Sequence, residues 1–145
     1  MTINSFLHLD LSTNFSRKDA RLGILGGSGL YNIENLKNVK EIEIKTPYGD
    51  PSDTLRIGEL GDIEIVFLAR HGRKHSYIPT EIPYRANIWA FKSLNVRWII
   101  SASAVGSLQE QVRPLDMVIP DQFIDRTHQR PLTFFSHGAV AHVSM

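Results

Sequence analysis

Val96–Ser101 reads Val-Arg-Trp-Ile-Ile-Ser, a nearly continuous apolar strand entered directly from a helical pattern. A purely apolar strand after a helix favours a sheet covered on both faces, which points to an α/β fold. The helix is expected over residues 80–94. Thr80 is placed to cap it, and Pro83 sits early, where a missing N–H costs little. Tyr84, Ile88 and Phe91 recur at i, i+4 and i+7, with Ala86 and Trp89 widening the apolar face.

The other expected strands are shorter. Residues 21–25 form an apolar run that breaks into Gly26-Gly27-Ser28-Gly29. Residues 39–44 alternate apolar and charged side chains, as a half-exposed strand does, and 46–51 are dense in turn formers. Strands are expected over 54–60 and 63–68, joined as a hairpin across Gly61-Asp62. Another is expected to begin at 116–119 after a turn at Pro114, and no strong element follows residue 127.

At 145 residues the chain is long enough for one domain with a sizeable core, and its 42% hydrophobic content is ordinary for a globular protein. A net charge of +1 gives no reason to expect nucleic-acid binding, so basic residues are judged by position. The absence of cysteine excludes disulfides, thiolate metal sites and cysteine nucleophiles. No apolar run approaches the roughly 20 residues of a membrane span. Residues 1–20 are read as a leader; the first 18 lack the basic start and unbroken apolar segment of a secretory signal, so a cytoplasmic protein is expected. The chain stops at Met145 on the apolar segment 139–143, which suggests truncation and an incomplete C-terminal side of the fold.

Three small, donor-rich loops each follow an expected strand. In Gly26-Gly27-Ser28-Gly29, glycines let consecutive N–H groups face an anion and Ser28 adds a hydroxyl; a tight turn without ligand fits equally. The loop is not G-x-G-x-x-G, because Asn32 holds the third glycine position, and no lysine follows in P-loop register. Arg70-His71-Gly72 follows the strand over 63–68, where an arginine offers planar recognition of an oxyanion and His71 a second donor. The alternative is that both merely cap a strand at the solvent edge. The stretch from Ser101 to Ser107 contains Ser103, Ala104 and Gly106, residues small enough for a ligand to reach the backbone. It lacks the G-x-S-x-G elbow of a serine nucleophile. Together the three loops can converge on one anion, with Arg70 supplying the positive charge.

Other polar clusters read as structural. Arg73, Lys74 and His75 fit a solvated basic loop. Asp121 and Asp125 fit an ion pair with Arg126 or Arg130 better than an acid/base or metal pair. His128, His137 and His142 lack a metal-ligand spacing.

The strings Leu22-Gly-Ile-Leu-Gly-Gly-Ser-Gly-Leu30, Leu68-Ala-Arg-His-Gly-Arg73, Ala86-Asn-Ile-Trp-Ala90, Gly106-Ser-Leu108 and Asp121-Gln-Phe-Ile-Asp-Arg-Thr127 are distinctive in order and spacing. From about Arg21 onward the chain resembles the S-methyl-5′-thioadenosine phosphorylases and related purine nucleoside phosphorylases. The resemblance implies the N-terminal half of a single phosphorylase domain over 21–145, with a mixed twisted sheet flanked by helices.

It also implies a reaction: phosphate attacks C1′ of a purine nucleoside, releasing the base and a pentose 1-phosphate. Neither metal nor organic cofactor takes part. Ser28, Arg70, His71 and Ser103 match phosphate-binding positions. Ala104 matches a residue whose backbone lies beside phosphate and nucleoside. His142 matches a histidine that reaches the sugar site of a neighbouring subunit in a homotrimer. The catalytic groups that activate the leaving base are expected beyond Met145. Methylthioadenosine is the favoured substrate, with inosine, guanosine or methylthioinosine as alternatives, and an inactive truncated remnant as another.

Overall fold

The computed structural model describes residues 21–30, 35–135 and 138–142. Five strands form one sheet: β1 (Arg21–Gly26), β2 (Lys37–Ile42), β3 (Leu55–Leu60), β4 (Ile63–Ala69) and β5 (Val96–Ser101). Their spatial order is β2-β3-β4-β1-β5. β1 runs parallel to both β4 and β5, whereas β2, β3 and β4 are antiparallel neighbours. The sheet is therefore mixed, as expected. The residue 1–20 leader lies outside the described residues.

The hairpin forms where the Gly61-Asp62 pair predicts it, with Leu60 opposite Ile63 and Gly61 at a φ of +62°. A short hairpin loop needs that positive φ to match the strand twist, and glycine supplies it without strain. β2 begins and ends two residues earlier than the alternation suggests. Asn38 has a φ of +52°, and the register shifts between Lys37 and Lys40, so the edge strand is bulged.

One helix, α1 (Tyr84–Ser93), lies against the sheet. It starts four residues later than expected, and Thr80 does not cap it: Pro83 occupies the N-cap with no side-chain cap bond. The cause is local, since a residue before proline is pushed away from helical dihedrals, which stops the helix at Ile82. The buried face comprises Ala86, Asn87, Ala90 and Phe91, rotated from the Tyr84/Ile88/Phe91 stripe that the spacing suggests. Ala90 and Phe91 pack on Leu25, Leu55, Ile57, Val66, Leu68 and Val96. Each large side chain buried there is worth about 1.5–3 kcal/mol. Strand alternation sends Ile65 and Phe67 to the opposite face, where both are also buried.

Two further expectations fail. β5 is not covered on both faces: Val96 is buried, but Trp98 is 40% and Ile100 53% exposed. It is an edge strand that pairs only with β1 among the described residues. Residues 116–119 are not a strand, and Met117 is 92% exposed. The Pro114 turn does form, with Asp116 N donating to the Arg113 carbonyl and Arg113 N to the Asp116 carboxylate. A strand without a ladder partner gains nothing from extended backbone, and among the described residues none pairs with this segment. Among the described residues, 102–135 carry only turns and bends.

Candidate phosphate-binding site

Parallel pairing decides where the three loops meet. Gly26 lies level with Ala69 and Leu25 with Ser101, so β4, β1 and β5 end side by side at their carboxyl ends. The ladder continues one step past the strands: Arg70 N donates to the Gly26 carbonyl at 2.8 Å, and Ala102 N to the Leu25 carbonyl at 3.0 Å. Ligands bind at such carboxyl ends in α/β sheets.

Arg70 Nη1 donates to Ser103 Oγ at 2.7 Å, joining the loop after β4 to the loop after β5. Its Nε donates to Nε2 of His71 at 3.4 Å. On the other side of that ring, Nδ1 lies 2.9 Å from the Tyr77 carbonyl oxygen. A carbonyl only accepts, so Nδ1 carries the proton and Nε2 is the acceptor in the neutral ring. The ring also stacks on His75, centroid to centroid 5.8 Å and nearly parallel. Among the described residues no carboxylate lies within 4.0 Å of the Arg70 guanidinium. It is a half-buried cation with no anion beside it among those residues.

The glycine loop lies at the end of β1, between the two. Gly26 is packed, since a Cβ there would meet Leu30 at 2.9 Å, whereas Cβ atoms on Gly27 or Gly29 would meet nothing within 4 Å. The backbone at Gly27 and Gly29 therefore borders open space. The Ser28 side chain lies outside the described residues.

The remaining candidates are not drawn in. Ala104 is exposed, one residue beyond Ser103, and His142 is exposed. His137 and part of the 139–143 segment lie outside the described residues. Arg73 is committed elsewhere, bonded through Nε to Asp53 at 2.9 Å and through Nη2 to Glu41 at 3.3 Å. Among the described residues Asp125 makes no ion pair within 4.0 Å, and Arg130 contributes only a weaker, longer-range attraction. Asp125 accepts from the Thr127 hydroxyl at 2.7 Å and the Thr127 amide at 2.9 Å, and these bonds hold its carboxyl below the usual range. Arg130 instead lies over the Tyr84 ring, 4.2 Å from its centroid. Asp125 and Arg130 line a cleft of about 740 Å³ between α1 and residues 123–134, and that cleft includes none of Arg70, His71 or Ser103. It is mostly apolar and open. Among the described residues no three histidine or acidic side chains gather as a metal site.

Sequence reasoning passed over Asn87 and Ser52, which support the Arg70 turn from below. Asn87 is fully buried; its Oδ1 accepts from Ser52 N at 2.8 Å, and Ser52 Oγ donates to the Ala69 carbonyl at 2.7 Å. The available signal was a polar residue three and four positions before Ala90 and Phe91, in the middle of the apolar stripe.

Residues 21–145 match the family model of the phosphorylase superfamily. An S-methyl-5′-thioadenosine phosphorylase of Prochlorococcus marinus is 78% identical over 128 residues, covering 88% of this chain and 41% of the relative. That of Thermosynechococcus vestitus is 61% identical over 124 residues, covering 86% and 43%. A methylthioadenosine phosphorylase crystal structure from an Antarctic soil metagenomic library superposes with a TM-score of 0.81 at 58% identity, over 88% of this chain and 44% of that one. The chain spans about two-fifths of the length of the curated relatives it matches. On its fold, its strand-end motifs and this match over nearly all its length, the chain belongs to the phosphorylase superfamily.

Proposed function

We propose that this chain forms the phosphate-binding part of a purine nucleoside phosphorylase that acts on S-methyl-5′-thioadenosine, giving adenine and 5-methylthioribose 1-phosphate. The observation that carries it is the closure of Arg70 onto Ser103 across the end of β1, with no carboxylate to neutralise the arginine among the described residues. The substrate follows from the names of the relatives, which are methylthioadenosine phosphorylases at up to 78% identity.

Arg70 supplies charge and planar donors, the Gly26–Gly29 loop supplies backbone N–H groups and the Ser28 hydroxyl, and Ser103 with the Ala104 backbone closes the third side. His71 stands beside Arg70 at the same strand end, with its Nε2 3.4 Å from Arg70 Nε, and its ring borders the anion position. Holding the anion in line with C1′ removes much of the entropic cost of a bimolecular attack. Its charge also stabilises the oxocarbenium character that develops on the sugar as the base departs. Phosphate enters as co-substrate, and no metal or organic cofactor is required. The assembly is a homotrimer in which His142 faces a neighbouring subunit's sugar, and the compartment is the cytoplasm. Among the described residues no helix is long and apolar enough to cross a membrane.

The test is release of adenine from methylthioadenosine, with and without phosphate, by this chain joined to the remaining portion of the Prochlorococcus marinus relative. Phosphate-dependent release is expected from the joined protein and none from the 145-residue chain alone. A preference for inosine would move the substrate, and activity independent of phosphate would refute the reading.

A further inference from the structure

The Arg70–His71 turn is held from two sides. From β1, the Gly26 carbonyl accepts the Arg70 amide at 2.8 Å. From beneath, Ser52 Oγ donates to the carbonyl of Ala69, the residue immediately before Arg70, at 2.7 Å. The same carbonyl accepts from Gly72 N at 3.0 Å, so Ala69 closes the turn that presents Arg70 and His71. Gly72 has a φ of +72°, and a Cβ there would stand 3.0 Å from the Ser52 carbonyl oxygen. The turn is thus seated directly on Ser52.

Ser52 is fixed in turn by Asn87, whose Oδ1 accepts its amide at 2.8 Å. Because that partner is a donor, the orientation of the amide is set by the bond itself. Ser52 is 7% and Asn87 0% exposed. Among the described residues the Nδ2 of Asn87 has no hydrogen-bond partner, and a buried unsatisfied donor is a cost that an apolar residue of the same size avoids. What Asn87 contributes is therefore its acceptor, delivered to Ser52. We propose that Asn87 and Ser52 are positioning residues for phosphate binding, a relay from α1 that fixes the Arg70–His71 turn; this rests on reading that turn as the phosphate site. Neither residue is placed to touch substrate.

The full 145-residue chain carrying Ser52→Ala tests the relay, with Asn87→Leu as a second variant at similar volume. Two quantities are read: amide exchange at Arg70 and Gly72, and affinity for inorganic phosphate by calorimetry. Far-ultraviolet circular dichroism and unchanged exchange within β1 identify folded protein, and Ser52→Ala, which loses a single oxygen, is the variant that decides. The relay predicts faster exchange at Arg70 and Gly72 and phosphate affinity weakened about tenfold, within the range for groups displaced by a remote change. Unchanged exchange overturns the relay whether or not phosphate binds. Faster exchange with wild-type affinity shows a structural bond only and overturns the positioning role. If the wild-type chain binds no phosphate, the site reading itself fails, and with it the role, a result distinct from either.

Discussion

Arg70 Nη1 lies 2.7 Å from Ser103 Oγ, a bond between residues 33 apart in sequence that passes over the end of the strand between them. β1 separates β4 from β5, so this contact exists only because all three strands are parallel and end together. A planar guanidinium held this way presents its donors in a fixed fork, which an ammonium on a flexible stem does not reproduce. Arg70→Lys is therefore expected to weaken phosphate binding by about tenfold or more, the loss of one to two charge-assisted bonds at about 1.5–3 kcal/mol each. Calorimetric titration with inorganic phosphate checks this, and an unchanged affinity would remove Arg70 from the site.

Gly72 occupies the left-handed region at a φ of +72°. Gly72→Ala is expected to destabilise the chain by about 1–2 kcal/mol from backbone strain, before any crowding against the Ser52 carbonyl. The urea midpoint measures it, at unchanged slope.

Gly23 leaves no room beneath Phe91. A Cβ there would stand 2.9 Å from Val96 Cγ1 and 3.1 Å from the Phe91 ring. Gly23→Ala should cost about 1–3 kcal/mol as overpacking. Phe91→Ala should cost about 3–5 kcal/mol as a cavity. The double variant should cost less than the sum, because the lost ring vacates the space the new methyl needs. Additive values from denaturant unfolding would show that the two side chains do not share that space.

The Thr127 hydroxyl is the largest influence on the Asp125 carboxyl, followed by the Thr127 amide. Both bonds favour the charged carboxylate, so the folded group titrates below its ordinary value. Their contribution is present above the unfolded value and is lost as pH falls through the folded one. Thr127→Val removes the first bond and keeps the second, and the Asp125 carboxyl should rise part of the way back. Carbon-13 titration of the side-chain carboxyl reads this directly.

The hairpin at Gly61-Asp62, the apolar strands β1 and β4, and the three loops at strand ends were all legible, because each is written in contiguous residues. The meeting of Arg70 with Ser103 was legible only as an expectation of convergence, since nothing local states which strands are neighbours. Asn87 and Ser52 escaped because each looks ordinary in its own segment: the relay joins a helix to a loop 35 residues away. The strand expected at 116–119 failed for the opposite reason. Its apolar character is local, but a strand exists only where a partner accepts its hydrogen bonds. The helix was found and its start misjudged, because Ile82 precedes a proline and Thr80 therefore has no first turn to cap.

Proton–nitrogen correlation spectra of the 145-residue chain, recorded through a titration with inorganic phosphate, test the central claim most directly. Saturable shifts should be concentrated at the Gly26–Gly29 amides, the Arg70 side chain, the His71 ring and the Ser103 amide. Absence of a saturable response, or one centred on the cleft between α1 and residues 123–134, would contradict a phosphate site at the three strand ends.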